Sequence, residues 1–252
     1  MQSRHHRKGL RTVAKVAGLL HCLWMPEKLN WWIGSVFSIG ALLFMLGSAL
    51  VLSPALASTL ALDTNAVNIV FFAGSIPFTI AAYLQLFQAA NAGEFSGQAD
   101  LSPRRTLIFG WQPQDIGWMS CALQFVGTLL FNINTFDAML PGLDWVQQEL
   151  DIWTPDFAGS ILFLSSGYLA FIETCHAHWA WKPGNLSWLV TFINLSGCVA
   201  FMVSAVFAFV LPNAPSFDAA TISVLFTLIG AACFLFGSLL MLPETAMVKE
   251  SD

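Results

Sequence analysis

The chain has 252 residues, of which 56% are hydrophobic and 10% charged, with a formal net charge of −5. Soluble domains carry about 25% charged residues, so an ordinary water-soluble fold is excluded, and the acidic balance speaks against a nucleic-acid partner. The composition is that of a membrane protein whose first partner is the lipid bilayer.

Crossing a hydrocarbon core of about 30 Å takes roughly 20 apolar residues as a helix. Six stretches meet this requirement, near 31–53, 66–90, 116–140, 157–178, 187–211 and 218–242. In the amino-terminal arm, residues 1–23, Arg4, Arg7, Arg11 and Lys15 recur at helical spacing opposite Leu10, Val13, Ala17, Leu20 and the Trp24 that follows. That pattern predicts an amphipathic arm lying on anionic lipid headgroups. Pro26, Glu27 and Lys28 then precede the first span without a small-residue cleavage site, so it is not read as a cleaved signal peptide.

A motif, Trp-x-Pro-x4-Trp-x8-Gly-x3-Phe, occurs three times. It reads Trp24, Pro26, Trp31, Gly40, Phe44, then Trp111, Pro113, Trp118, Gly127, Phe131, then Trp181, Pro183, Trp188, Gly197, Phe201. Such spacing signals one unit used repeatedly. Indole rings favour the membrane interface, and a proline at the first helical position gives up no needed amide hydrogen. The glycine, nine residues beyond the second Trp, lets a neighbouring helix approach, with the Phe one turn later filling the gap beside it. The even spans repeat too: Phe72-Ala73-Gly74-Ser75-Ile76 matches Phe157-Ala158-Gly159-Ser160-Ile161, and the sixth keeps Gly230 and Phe234.

The expected fold is therefore all-α and integral to the membrane: six transmembrane helices in three tandem hairpins behind the amino-terminal arm, arranged as a pseudo-threefold bundle, with a row of hairpins as the alternative. The hairpins cover 24–92, 111–176 and 177–245, with a linker at 93–110 and a tail at 246–252. The segment 141–156 reads as the largest loop on the opposite side.

If the spans alternate, all ten Lys and Arg fall on one side of the bilayer. The positive-inside rule makes that side cytoplasmic, which places both termini in the cytoplasm and the protein in a bacterial inner membrane. Five scattered cysteines, Cys22, Cys121, Cys175, Cys198 and Cys233, imply no disulfide framework.

With Trp31-Trp32-Ile33-Gly34-Ser35, Ile39-Gly40-Ala41-Leu42-Leu43-Phe44 and the stretch from Phe109-Gly110-Trp111 through Gly117-Trp118 to Phe131-Asn132, the chain resembles YrhK-type membrane proteins. The resemblance covers most of the chain beyond the arm. It implies a multi-pass membrane fold and no catalytic residue.

Candidate chemistry gathers at the inner ends of the spans. Gln88, Glu173 and Glu244 stand ten residues beyond Phe78, Phe163 and Phe234, while Gln124 and Asn194 lie at equivalent depths in the third and fifth spans. Ionisable groups inside a membrane are costly and mark functional sites when buried. Converging on the axis, these residues would line a polar vestibule with Lys28 and Lys182 at its rim. The blander reading leaves Glu173 and Glu244 hydrated at the interface or paired with those lysines. Phe37 replaces the amide in the first unit, so any site leans on the second and third.

Asn132, Asn134 and Asp137 form a polar strip in the third span, suited to helix-helix hydrogen bonds or to a permeating solute. Tyr83 and Tyr168 read as packing residues with a hydroxyl bonded across helices. Cys175, His176 and His178, with His21 and Cys22, lack the paired spacing of a zinc site. Glu173 and His176 share a helix face, the one weak acid-base pair. No nucleotide loop, metalloprotease motif or nucleophile elbow is present, and no cofactor or metal is expected.

Three functional classes follow. A non-enzymatic scaffold or accessory subunit, working as a homo-oligomer or with a membrane-protein partner, ranks first because the repeated residues are packing types. A small-solute or ion channel or transporter using the vestibule is the alternative. A membrane-embedded enzyme ranks last.

Overall fold

A computed structural model describes residues 24–92, 106–209 and 217–247. Among them every regular element is helical: α1 (Leu29–Leu52), α2 (Pro54–Thr59), α3 (Thr64–Ala90), α4 (Ile116–Asp137), α5 (Trp145–Gln147), α6 (Thr154–Cys175), α7 (Leu186–Phe207) and α8 (Phe217–Met247). Six helices are long and apolar enough to cross a membrane, as expected of a multi-pass protein. The amino-terminal arm, most of the 93–110 linker and residues 248–252 of the tail lie outside the described residues.

The six long helices pack as a closed ring in chain order: α1 on α3, α3 on α4, α4 on α6, α6 on α7, α7 on α8, and α8 back on α1. Neighbours run antiparallel, because contacts climb one helix as they descend the next. Ser38 meets Ser238 while Gly34 meets Leu242, and Ser120 meets Ser166 while Gly127 faces Gly159. The starts of α1, α4 and α7 therefore share one end of the bundle with the last turns of α3, α6 and α8. We call this the tryptophan end.

Ile39, Leu42, Leu46, Val126, Ile133 and Val199 point outward, whereas serines such as Ser48, Ser75, Ser160 and Ser238 are buried. Lipid offers no hydrophobic drive between helices, so close packing and hydrogen bonds must hold the ring. Each seam has its own device. Gly40, Gly127 and Gly197 lie against Gly74, Gly159 and Gly230; a Cβ on Gly40 would come within 2.9 Å of the Gly74 carbonyl, and one on Gly127 within 2.6 Å of the Phe163 ring. Between these pairs, Asn132 donates to the Thr79 hydroxyl at 2.8 Å and Ser160 to the Phe201 carbonyl at 3.4 Å.

The motif tryptophans form the same pair at three places. Trp24 and Trp31, Trp111 and Trp118, and Trp181 and Trp188 meet edge to face at 5.3, 5.4 and 5.1 Å. The first of each pair is exposed and the second buried. Trp118 and Trp188 donate their ring N–H to the carbonyls of Phe109 and Ala180, both at 2.9 Å.

Two sequence expectations need correction. The motif prolines are not at the first helical position: α1, α4 and α7 begin three residues later. Instead the Lys28, Asp115 and Asn185 amides bond back to Met25, Gln112 and Lys182, so each proline is second in a four-residue turn, where its fixed φ is favoured. Residues 141–156 are also not simply a loop. Asp144 caps α5 through a reciprocal pair with Gln147, and a π-helical turn, Gln148–Trp153, feeds directly into α6. Trp153 fastens this turn by stacking on Phe157 and donating to the Ala205 carbonyl at 2.8 Å.

Candidate functional site: two polar cavities divided by phenylalanine

Each long helix sends one phenylalanine to the centre of the ring. Phe44, Phe131 and Phe201 come from α1, α4 and α7; Phe78, Phe163 and Phe234 come from α3, α6 and α8. Within hairpins they touch at 5.3 Å (Phe44 and Phe78), 4.9 Å (Phe131 and Phe163) and 5.6 Å (Phe201 and Phe234). Phe201 also reaches Phe44 and Phe131, and Phe234 reaches Phe78 and Phe163, all at about 6 Å. Every one lies four residues beyond a glycine of its own helix and packs over the glycine of its hairpin partner. Edge-to-face contacts are favoured by about 0.5–1.5 kcal/mol beyond burial, so this aromatic plug is cohesive. It leaves a central void of only about 10 Å³.

At the tryptophan end of the plug lies a cavity of about 240 Å³ lined from all six helices. Four of the five residues singled out by sequence border it: Gln124, Glu173, Asn194 and Glu244. Gln88 does not; it is half-buried elsewhere, and Gln85, one turn earlier, supplies the α3 amide. Lys28 and Lys182 are not lining residues, and Phe37 is the α1 contribution.

Glycines let the polar side chains lie flat against neighbouring backbones. The Glu173 carboxylate rests on Gly117 of α4 and the Asn194 carboxamide on Gly237 of α8; a Cβ at either glycine would collide with them. Most of the cavity's hydroxyls are committed: Ser120 and Ser166 each donate to the other's carbonyl, at 2.9 and 2.8 Å, Thr191 donates to the Ser187 carbonyl at 2.8 Å and Ser238 to the Leu235 carbonyl at 2.9 Å. By contrast, Gln85 Oε1 and Asn194 Oδ1 are fully buried acceptors without a protein donor. An unmet buried acceptor costs roughly 1–3 kcal/mol, so the cavity favours water or a solute that brings donors.

Beyond the plug is a second cavity, of about 160 Å³ and again lined from all six helices. Phe44, Phe131 and Phe201 form its floor; Asn68, Asn134, Thr135, Ser204, Thr227 and Asp156 supply its polar wall. Sequence reading marked only Asn134 among these, because the others stand singly on different helices with no shared spacing. Asn132 instead joins α4 to α3, and Asp137 ends α4 outside the cavity lining.

The remaining candidates do not assemble. Cys175 is buried, His176 takes a left-handed conformation (φ 52°) that ends α6, and His178 approaches the Tyr168 hydroxyl at 3.4 Å. Tyr83 packs its ring on Phe109 and Phe125. His21 and Cys22 lie outside the described residues. Among those described, no group of three His, Cys, Asp or Glu side chains is placed to hold a metal.

No family model, curated protein or solved structure matches the chain.

Proposed function

We propose that the protein carries a small polar solute or ion across a bacterial inner membrane along the axis of its helical ring, with the tryptophan end and both termini in the cytoplasm. The observation that carries this reading is the order along the axis: polar cavity, aromatic plug, polar cavity, each cavity lined from all six helices. Polar groups inside a membrane are costly, and a scaffold has no use for two central chambers with uncommitted acceptors. Transport therefore displaces the scaffold reading that the packing motifs alone rank first. The closed plug is the gate of the resting state, since a ring of aromatic side chains excludes water until the helices part.

The orientation rests on the distribution of Lys and Arg. Three tandem hairpins about a pseudo-threefold axis rest on the repeated motif, with the recurring glycine and tryptophan contacts in support; kinship with YrhK-type proteins rests on the stretches 31–35, 39–44 and 109–132 of the sequence. Anionic headgroups at the amino-terminal arm remain the expected lipid contact.

The test is solute and ion flux in proteoliposomes. The wild type should show slow flux, and Phe131→Ala with Phe201→Ala should raise it at least tenfold by thinning the plug. Glu173→Gln with Glu244→Gln should change the rate or the selectivity. Absence of flux from both the wild type and the plug variant would refute conduction; unchanged behaviour in the carboxylate variant would remove those two residues from the pathway.

A further inference from the structure

We propose that the cavity beyond the plug is a binding site for a small cation, held by Asp156 with the amide oxygens of Asn68 and Asn134. The corollary, which rests on the transport reading above, is that the transported solute is cationic.

The argument is an inventory of donors. Asn68 gives its amide N–H to the Ala138 carbonyl at 2.6 Å, and Asn134 gives its own to the Ile152 carbonyl at 3.1 Å. A backbone carbonyl can only accept, so the NH2 face of each amide is fixed toward it and each Oδ1 is left as an acceptor. Thr135 donates to the Phe131 carbonyl at 2.6 Å, Thr227 reaches the Ser223 carbonyl at 3.1 Å, and Ser204 and Thr227 share a hydrogen at 2.7 Å. Ser223 in turn meets the Ser204 hydroxyl at 3.2 Å, and although each amide keeps a second N–H, the carboxamide and hydroxyl oxygens retain lone pairs that can serve a cation. Asp156 adds the one charged side chain among the described lining residues. Carboxylate, amide and hydroxyl oxygens together form the ligand set of a hard cation.

The approach to the chamber has the same sign. Asp63, Asp137, Asp144, Glu149 and Asp151 stand at this end of the bundle, and no Lys or Arg occurs between residues 53 and 64 or between 138 and 153. Such a one-signed mouth concentrates cations and repels anions. The cavity's 160 Å³ compares with about 30 Å³ per liquid water molecule. It suits an ion that keeps part of its hydration shell, or a small ammonium ion, rather than a tightly caged bare metal.

The test uses the full chain in lipid nanodiscs, melted in chloride salts of sodium, potassium, ammonium and N-methylglucamine at matched ionic strength. At least one small cation should raise the melting temperature with concentration, and the bulky N-methylglucamine should not. Asp156→Asn should weaken the apparent affinity at least tenfold, while Glu27→Gln, an exposed carboxylate that lines neither cavity, should leave it intact. If Asp156→Asn fails to fold, Thr227→Val, which removes one oxygen at nearly constant shape, should weaken affinity in the same direction. No difference among the salts, or full affinity in whichever of Asp156→Asn and Thr227→Val folds, overturns the site. Flux then separates the two proposals: a wild type that passes glycerol and discriminates no cation from chloride keeps the pathway and overturns the cation assignment. A cation-dependent melt without any flux keeps the site and overturns the pathway.

Discussion

Glycine 127 shows how narrow the tolerance is at single positions. The Phe163 ring lies where its Cβ would go, 2.6 Å away, and the ring is itself held between Phe131 and Phe234. Overpacking of this kind costs about 1–3 kcal/mol, so Gly127→Ala should lower the melting temperature in detergent and loosen the plug. Gly184 has no atom within 4 Å of its virtual Cβ. Gly184→Ala should therefore be neutral or add up to about 1 kcal/mol by restricting the unfolded chain. Equal melting temperatures for the two variants would contradict the close packing described here.

Residues of this kind were partly legible in sequence. Gly-x3-Phe spacing announced a close helix approach with a ring beside it, and the contacts of Gly40, Gly127 and Gly197 are of that type. Gln88 was less tractable: counting from phenylalanine fixed its depth, but a shift of three positions decides which neighbour a helical side chain faces, and the cavity takes Gln85. The far cavity gave no linear signal, because Asn68, Thr135, Asp156 and Ser204 meet only once the ring closes.

At the scale of elements, the three tryptophan-end starts differ in their caps. Asp115 accepts from the Trp118 amide at 2.7 Å and Asn185 from the Trp188 amide at 2.9 Å, whereas Lys28, in the same place before α1, offers no side-chain acceptor. There the Trp31 amide turns to the Lys28 carbonyl at 3.1 Å instead, and a side-chain cap contributes about 0.5–2 kcal/mol. Lys28→Asn should therefore raise the melting temperature, and Asp115→Ala should lower it by a comparable amount. No change in either, or the reverse of both effects, would show that side-chain caps do not hold these starts. Composition hid the continuation of α6 back through Trp145, because the acids and glutamines of 144–151 read as loop while their role is to cap and extend a helix.

At the scale of the whole molecule, an even number of crossings puts Trp24 and Glu244 at the same end. In the proposed orientation, which rests on the positive-inside rule, that end faces the cytoplasm. Single cysteines at Lys182 and at Asp144, in a background lacking the native cysteines, should react with a membrane-impermeant reagent from opposite faces of inner-membrane vesicles. Labelling of both from one face would break the alternation on which the axial pathway depends.

The seam between α1 and α8, with Ser38 and Ser238 joined at 2.8 Å and Gly34 seated against the Ser238 carbonyl, makes the first and last spans neighbours like any others. The bundle thus has a cyclic order without a privileged starting point. A gene that joins residue 252 to residue 1 through a short linker and reopens between 93 and 105 should yield a protein with the melting temperature of the original. Failure of that permutant to assemble would mean that the order of membrane insertion, rather than the final set of contacts, selects the fold.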